Sequence, residues 1–465
     1  MTIVVLLAAG RGVRMRSERP KVLHEAAGRP LLDRALDTAL AVAGSAAQVV
    51  VVVSNAGDGV AGHVKAGYPG VRVVLQDPPR GTGDAVRVAA AAFGKATRVV
   101  VLSSDVPLLA AEKVNGLLDA LKADKKAAVA VLTAKVADPA GYGRVVRTKG
   151  RFVRIVEEKD SSSKEKKISE INTGTYAFDR TFLERSLPLL TSKNSQSEFY
   201  LTDVLSFARK AGRRVVLVEG DPSSALGVNS REELAAVERI LRNRKAAEVM
   251  QAGTTILRPE TVTLDDTVVL EPDTLLEPFV TLLGKTRVGT GTVIGQGTVA
   301  RNAVFGKNVT VRPYCVIESA VVGDGAVVGP FARLREGTEL AEGVHVGNFV
   351  ETKKAVLKKG VKANHLTYLG DTEIGERTNV GAGVITCNYD GFAKHKTTIG
   401  RDVFVGSDSQ LVAPITIGDG AIIAAGTTVT EDVPKDALAL AREPQKNLPE
   451  GGARYRERKS GGKKT

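Results

Sequence analysis

Two sets of residues in this sequence combine side-chain types and spacing that suit chemistry, and each suits a different kind. The first lies near the start. An apolar run over 2–7 leads directly into Ala8-Ala9-Gly10-Arg11-Gly12-Val13-Arg14-Met15, with Pro20-Lys21 a little later. Small residues let a backbone close around a phosphate with its N–H groups as donors, while Arg14 and Lys21 supply positive charge. No Gly-Lys-Ser/Thr follows, so this is not a Walker A loop, and the Gly-x-Gly-x-x-Gly spacing also fails. A second apolar run, 99–102, ends in Ser103-Ser104-Asp105-Val106-Pro107. Asp105 would then stand at a strand's carboxyl end, where a carboxylate can hold Mg²⁺.

The second set surrounds one of only five histidines, His365, in Ala363-Asn364-His365-Leu366-Thr367-Tyr368-Leu369-Gly370. Arg335, Lys353, Tyr368, Asn379, Asn388 and Tyr389 are polar residues from the same stretch of chain, and the core of a repeat fold has no use for them. Arg335 and Lys353 suit a phosphate. Asn388 or Tyr389 could fix an amine or polarise a carbonyl, and an imidazole is suited to removing a proton near neutral pH.

The elements that must position these residues follow two different periods. Up to about residue 229, short apolar runs (2–8, 47–53, 71–76, 98–103 and 127–133) alternate with amphipathic segments such as 30–43 and 84–93. That alternation predicts a mostly parallel, Rossmann-like α/β sheet covered by helices on both faces, with sites at the carboxyl ends of its strands. Over 230–250, Ser230 and Glu233 form a capping box, and Leu234, Val237 and Leu241 share one face of the helix that follows. From 251 to about 450 the period is six. Aliphatic residues recur at Leu264, Leu270, Leu276, Leu282, Val288 and Ile294, then at Val316, Val322, Val328, Leu334, Leu340 and Val346. A third series runs through Ile399, Val405, Leu411, Ile417, Ile423 and Val429, with small or β-branched residues four places after the aliphatic one. Such hexads belong to the parallel β-helix class, in which roughly 18 residues make one three-sided coil. Between 386 and 398 the hexads fail, which predicts a loop carrying Asn388 and Tyr389.

Composition narrows the classes. At 465 residues, with 43% hydrophobic and 25% charged, the chain is an ordinary folded protein of about three units at ~150 residues each. Two cysteines cannot make a disulfide framework, no apolar run approaches ~18 residues, and no leader is evident, so a cytoplasmic protein is expected and a membrane partner is not. The net charge of +13 invites a nucleic-acid reading. Much of that excess, however, lies in 451–465, where Arg454, Arg456, Arg458, Lys459, Lys463 and Lys464 stand against Glu457 alone; a disordered, solvated tail is expected there.

The amino-terminal string resembles the signature of sugar-phosphate nucleotidyltransferases. Supporting pieces occur in order: Gln76 and Gly81-Thr82-Gly83 resemble the base-recognition segment, Asn229 the second metal ligand beside Asp105, and Gly143, Glu157 and Asn172 the sugar and ribose contacts. By that resemblance Leu7, Ala8, Ala9, Gly10, Lys21, Ser103 and Ser104 also line the nucleotide site. Val13 and Ser103-Ser104 depart from the family's usual Thr and its aromatic-Gly pair. Farther along, Arg333-Leu334-Arg335, Gly347-Asn348-Phe349-Val350-Glu351, the His365 segment and residues 379–391 look like the bacterial bifunctional enzymes that acetylate glucosamine 1-phosphate and uridylylate the product. The likeness runs from residue 3 to about 442. It implies a left-handed β-helix, His365 as general base, and sugar-phosphate contacts from Arg335, Lys353, Tyr368 and Asn379. It also implies acetyl-CoA contacts from Ala382, Asn388, Tyr389, Ser407, Ala425 and Arg442, with Mg²⁺ and UTP at the other site and a homotrimer. The product, UDP-N-acetylglucosamine, would feed peptidoglycan and lipopolysaccharide synthesis. Two other proteins share this architecture, an ADP-glucose-type synthase with a merely structural β-helix and a non-catalytic regulatory subunit of an exchange factor. The first predicts no constellation around His365, and the second predicts loss of Arg14, Lys21 and Asp105.

Overall fold

A computed structural model describes residues 1–10, 12–54 and 59–460; Arg11, Lys463 and Lys464 lie outside them. The chain divides into two compact units, Met1–Lys245 and Ala246–Thr465.

The first unit is built on a nine-stranded sheet whose main path runs Arg214–Gly220, Ala127–Lys135, Glu170–Asp179, Arg98–Ser103, Thr2–Ala8, Val49–Val53, Arg72–Leu75. All neighbours on that path are parallel except Glu170–Asp179, which is antiparallel to both of its own. Val49–Val53 is five buried valines, as a strand covered on both faces requires. Along Thr2–Ala8, Val4 and Leu6 join a cluster with the helices Leu31–Ala43 and Ala111–Ala123. Ile3 and Val5 join the opposite cluster with Thr82–Ala89 and Asp203–Lys210. The chain moves outward from Thr2–Ala8 to Arg72–Leu75 and then returns to Arg98–Ser103 on the other side, so strand order reverses between Thr2–Ala8 and Arg98–Ser103. A crevice opens at such a reversal, at the carboxyl ends of the two strands.

Two elements of this unit escape the alternation pattern, the antiparallel Glu170–Asp179 and the hairpin Arg144–Thr148/Arg151–Val156. The capping box forms at the start of the helix Arg231–Gln251. Glu233 Oε2 accepts from Ser230 N at 3.0 Å, and Glu233 N donates to Ser230 Oγ at 3.2 Å.

In the second unit 26 strands among the described residues wind into a left-handed parallel β-helix, most of them short and pairing with the third strand after them: Leu264 with Leu282, Leu270 with Val288, Leu276 with Ile294. The 13-residue strands His345–Leu357 and Lys362–Ile374 pair with each other. The aliphatic positions stack into one core, each worth about 1.5–3 kcal/mol when fully buried. Thr286, Thr292 and Thr298, four places after Leu282, Val288 and Ile294, are also buried. Their hydroxyls donate to the carbonyls of Leu283, Gly306 and Arg312, so that each buried hydroxyl is itself satisfied. The second hexad series needs one correction. Val316 is 39% exposed and Ile317 holds the core position. The phase changes at five-residue steps, Ala300 to Phe305 and Ile317 to Val322, because some coils are one residue shorter.

The tail also differs from expectation. Gly451–Ser460 is helical, with none of its residues buried. The run between its flanking glycines consists largely of Ala, Arg, Glu and Lys, all good helix formers, and their propensity prevails over the glycines. No helix of the described residues is long and apolar enough to cross a membrane.

Candidate active sites

Local packing sets up the first site. Gly12 has φ 59°, and a Cβ there would lie 2.6 Å from Lys21 Cβ, so a glycine lets the loop close over the lysine stem. Lys21 is only 8% exposed, and its ammonium donates to Asp105 Oδ2 at 2.5 Å and to Asn229 Oδ1 at 2.9 Å. Three residues spread over more than two hundred positions therefore meet at one cation. The meeting is braced by backbone: Val228 N donates to Asp105 O at 2.8 Å, and Ser104 N to Leu7 O at 3.1 Å. Among the described residues no group of three or more His, Cys, Asp or Glu could hold a metal. The oxygen pair of Asp105 and Asn229 already receives a positive charge and has the hard donors that Mg²⁺ takes alongside substrate phosphates and water.

Two cavities adjoin there. One, of about 550 Å³, includes Leu7, Ala9, Gly10, Gln76, Gly81 and Thr82 in its wall, together with Ser103, Ser104 and Asp105. The other, of about 240 Å³, holds Arg14, Gly143, Glu157, Asn172 and Asn229, and it shares Leu7, Thr82, Ser103 and Asp105 with the first. Ala8 closes the strand just before that wall. Every residue read from the sequence for this site is therefore in or beside one crevice. Ser104 contributes mainly to structure, since its hydroxyl donates to Leu7 O at 2.6 Å, and Val13 is 81% exposed. In the smaller cavity Asn172 N donates to Gly143 O at 2.8 Å, and Thr202 donates to Glu157 Oε1 at 3.1 Å. Burial pushes the Glu157 carboxyl above the ordinary glutamate range.

The second site lies on the corners of the β-helix. Many corners carry a residue with positive φ. One line of these residues runs through Tyr314, Phe331, Phe349 and Leu366, with the three rings stacked at 5.4 and 5.6 Å. Beside it, Asn348 is in register with His365, and His365 Nδ1 lies 3.1 Å from Asn348 Oδ1. The same corner continues through Ala382, Ser407 and Ala425: Asp408 N donates to Ala382 O, Gly426 N donates to Ser407 O, and the Arg442 guanidinium donates to Ala425 O. Asn348 was not singled out from the sequence as a functional side chain; nothing in the hexad pattern marks a residue that acts through its neighbour in the next coil.

The other residues of this set gather at a different corner. Lys353 is in register with Gly370, and a Cβ on Gly370 would run into the Tyr368 hydroxyl and the Asn388 amide. Asn388 Nδ2 donates to Asp371 Oδ2 at 2.5 Å, and Arg335 Nη1 donates to Glu351 Oε1 at 2.8 Å, Glu351 being in register with Tyr368. The loop after Cys387 leaves from this corner and carries Tyr389, 60% exposed. Asn379 pairs with Lys362 on the face that precedes His365. One chain thus separates Asn388 and Tyr389 from the other four residues read as acetyl-CoA contacts, and Asn379 from Arg335, Lys353 and Tyr368.

Close stacking makes one position at the histidine corner critical. A Cβ on Gly347 would lie 1.9 Å from the carbonyl oxygen of Asn364 in the next coil. Gly347→Ala must part the coils at Asn348 and His365. We expect a loss of about 1–3 kcal/mol in denaturant unfolding of the β-helix, with whatever chemistry the His365 corner performs lost and that of the first unit kept.

Residues 4–172 match the family of MobA-like NTP transferase domains, and residues 396–431 match the bacterial transferase hexapeptide family of six repeats. Among curated relatives, the bifunctional protein GlmU of Sorangium cellulosum is 46% identical over 449 residues, which is 95% of this chain and 94% of that one. The protein of the same name in Trichlorobacter lovleyi is 46% identical over 451 residues, 96% of this chain and 97% of its own. That of Pelobacter propionicus is 44% identical over 446 residues, 95% and 96% of the two chains. With a nucleotidyltransferase sheet followed by a hexapeptide β-helix and relatives aligned nearly end to end, the chain belongs to the bifunctional GlmU family, enzymes of UDP-N-acetylglucosamine synthesis.

Proposed function

We propose that the second unit transfers acetyl from acetyl-CoA to glucosamine 1-phosphate and that the first then joins N-acetylglucosamine 1-phosphate to UTP, releasing pyrophosphate. The convergence of Lys21, Asp105 and Asn229 carries the first half of this reading. A phosphate oxygen of the sugar attacks the α-phosphorus of UTP and pyrophosphate leaves, so two anions must meet without a covalent enzyme intermediate. The backbone of Ala8, Ala9 and Gly10 receives the nucleotide, and Gln76, Gly81 and Thr82 hold its base end. Arg14 and Lys21 neutralise the phosphates, Ser103 borders both substrates, and Gly143, Glu157 and Asn172 hold the sugar and ribose hydroxyls. Mg²⁺, held by Asp105 and Asn229, would offset the remaining negative charge of the phosphates.

In the second unit His365 removes a proton from the amine of glucosamine 1-phosphate as it attacks the thioester carbonyl, and the coenzyme leaves as its thiol. Asn348 Oδ1 accepts from Nδ1–H, which leaves Nε2 with its lone pair toward the substrate. Arg335 and Lys353 take the sugar phosphate with Tyr368 and Asn379. Ala382, Ser407, Ala425 and Arg442 line the coenzyme, and Asn388 and Tyr389 close on it. Asn348→Ala should lower kcat for acetyl transfer about tenfold with little change in KM, whereas Asn348→Asp, which keeps an acceptor opposite Nδ1, should retain most of the rate. Equal loss in both would show Asn348 to be structural only.

Because one chain spreads the coenzyme and sugar residues over two corners and an adjoining face, we read the working form as a homotrimer in which one copy's Asn388 loop meets the next copy's His365 corner. Free Cys315 and Cys387 suit a reducing cytoplasm. The test is direct. Purified protein given glucosamine 1-phosphate, acetyl-CoA, UTP and Mg²⁺ should release free thiol and pyrophosphate in equal amounts; absence of either one refutes the corresponding half.

A further inference from the structure

Gln76 is 2% exposed, yet it borders the larger cavity, and both hydrogens of its amide are committed. Nε2 donates to Asp84 Oδ2 at 2.9 Å and to Gly81 O at 3.0 Å. The opposite amide orientation would point Oε1 at a carboxylate and a carbonyl, three acceptors together with no hydrogen among them. Asp84 is itself 5% exposed and held in place, because the Arg87 guanidinium donates to its other oxygen. Gln76 Oε1 accepts no hydrogen bond among the described residues. The amide can therefore offer a ligand in this cavity an acceptor and not a donor.

We propose that Asp84 is a positioning residue for nucleotide choice: by fixing Gln76 with Oε1 toward the cavity it selects a pyrimidine that carries N3–H, as uracil does, and refuses cytosine, whose N3 is an acceptor. The proposal rests on the reading of this cavity as the nucleoside triphosphate site. Cytosine placed there would set a lone pair against a buried oxygen that cannot turn away, and a mismatch of that kind inside a low-dielectric pocket is poorly tolerated. Asp84 need not touch the nucleotide, so its substitution should change selectivity more than turnover.

In Asp84→Asn, Arg87 still claims the oxygen, so the new NH₂ faces Gln76 Nε2, donor against donor. Gln76 is then caught between that group and Gly81 O, and its single orientation is lost. We expect the ratio of kcat/KM for UTP over CTP, read as pyrophosphate release, to fall about tenfold or more, with kcat for UTP changed less than its KM. Asp84→Ala should lower the ratio as well. The unmodified protein supplies an independent check: 3-methyluridine triphosphate, which lacks N3–H, should be used at least about tenfold less well than UTP. A UTP-to-CTP ratio unchanged in a variant that melts like the unmodified protein, or 3-methyluridine triphosphate used like UTP, would overturn the proposal. If the unmodified protein released pyrophosphate from no nucleotide at all, it is the assignment of the cavity that would fail instead.

Discussion

Asp105→Ala should reduce pyrophosphate release by about a thousandfold or more while thiol release from acetyl-CoA continues at the unmodified rate. The size follows from what Asp105 holds. Its carboxylate lies 2.5 Å from the Lys21 ammonium, and that ammonium is also bonded to Asn229 at 2.9 Å. Removing the carboxylate leaves a lysine only 8% exposed without its counter-charge and takes away the acidic oxygen that meets Asn229 Oδ1 at that ammonium. A single preorganised electrostatic group in a site of this kind is worth about 10²–10³ in rate, and here the cation it would hold is lost with it. Acetyl transfer is the internal control, since His365 and its companions belong to the other compact unit. Thiol release falling together with pyrophosphate release, in a protein with an unchanged melting profile, would mean that the two activities are not separately housed.

What the sequence made legible is what periodicity and short-range motifs encode. Buried valine runs, the Ser230–Glu233 capping box and the hexads each reflect constraints within a few residues, and the corresponding elements are where they were read. Part of the crevice was legible for a related reason: Leu7, Ser103 and Asp105 lie at or just past the ends of two strands that were read, whereas Gly143, Glu157 and Asn172 lie on or beside the unread strands Arg144–Thr148, Arg151–Val156 and Glu170–Asp179. Errors arose where a constraint comes from the next layer. Ile317 and not Val316 faces the core because the coils around it are a residue short, and only stacking reveals which of two adjacent aliphatic residues turns inward. Glu170–Asp179 reads as no particular element because its alternation is broken at Asn172-Thr173-Gly174, where the register shifts against Ala127–Lys135. Asp84 and Asn348 went unread as well. Each lies in hydrogen-bond contact with a neighbouring side chain, Gln76 and His365, and such a contact leaves no signature in residue type or spacing.

The other large effect expected is at His365. Replacing it with alanine should cut thiol release by about 10²–10⁴, the range a positioned general base supplies, and leave pyrophosphate formation from pre-acetylated sugar phosphate intact. The geometry favours a base over a structural histidine. His365 is exposed, and the Asn348 oxygen 3.1 Å from Nδ1 leaves the other ring nitrogen facing outward. An ammonium cannot attack a thioester until it loses a proton, so the variant should recover as the pH rises and free amine accumulates. Added imidazole should restore part of the variant's activity, because the space it vacates opens onto solvent. An alanine variant that melted normally, kept the unmodified pH profile and lost less than tenfold in rate would move the base to another residue and leave His365 as a corner support between coils.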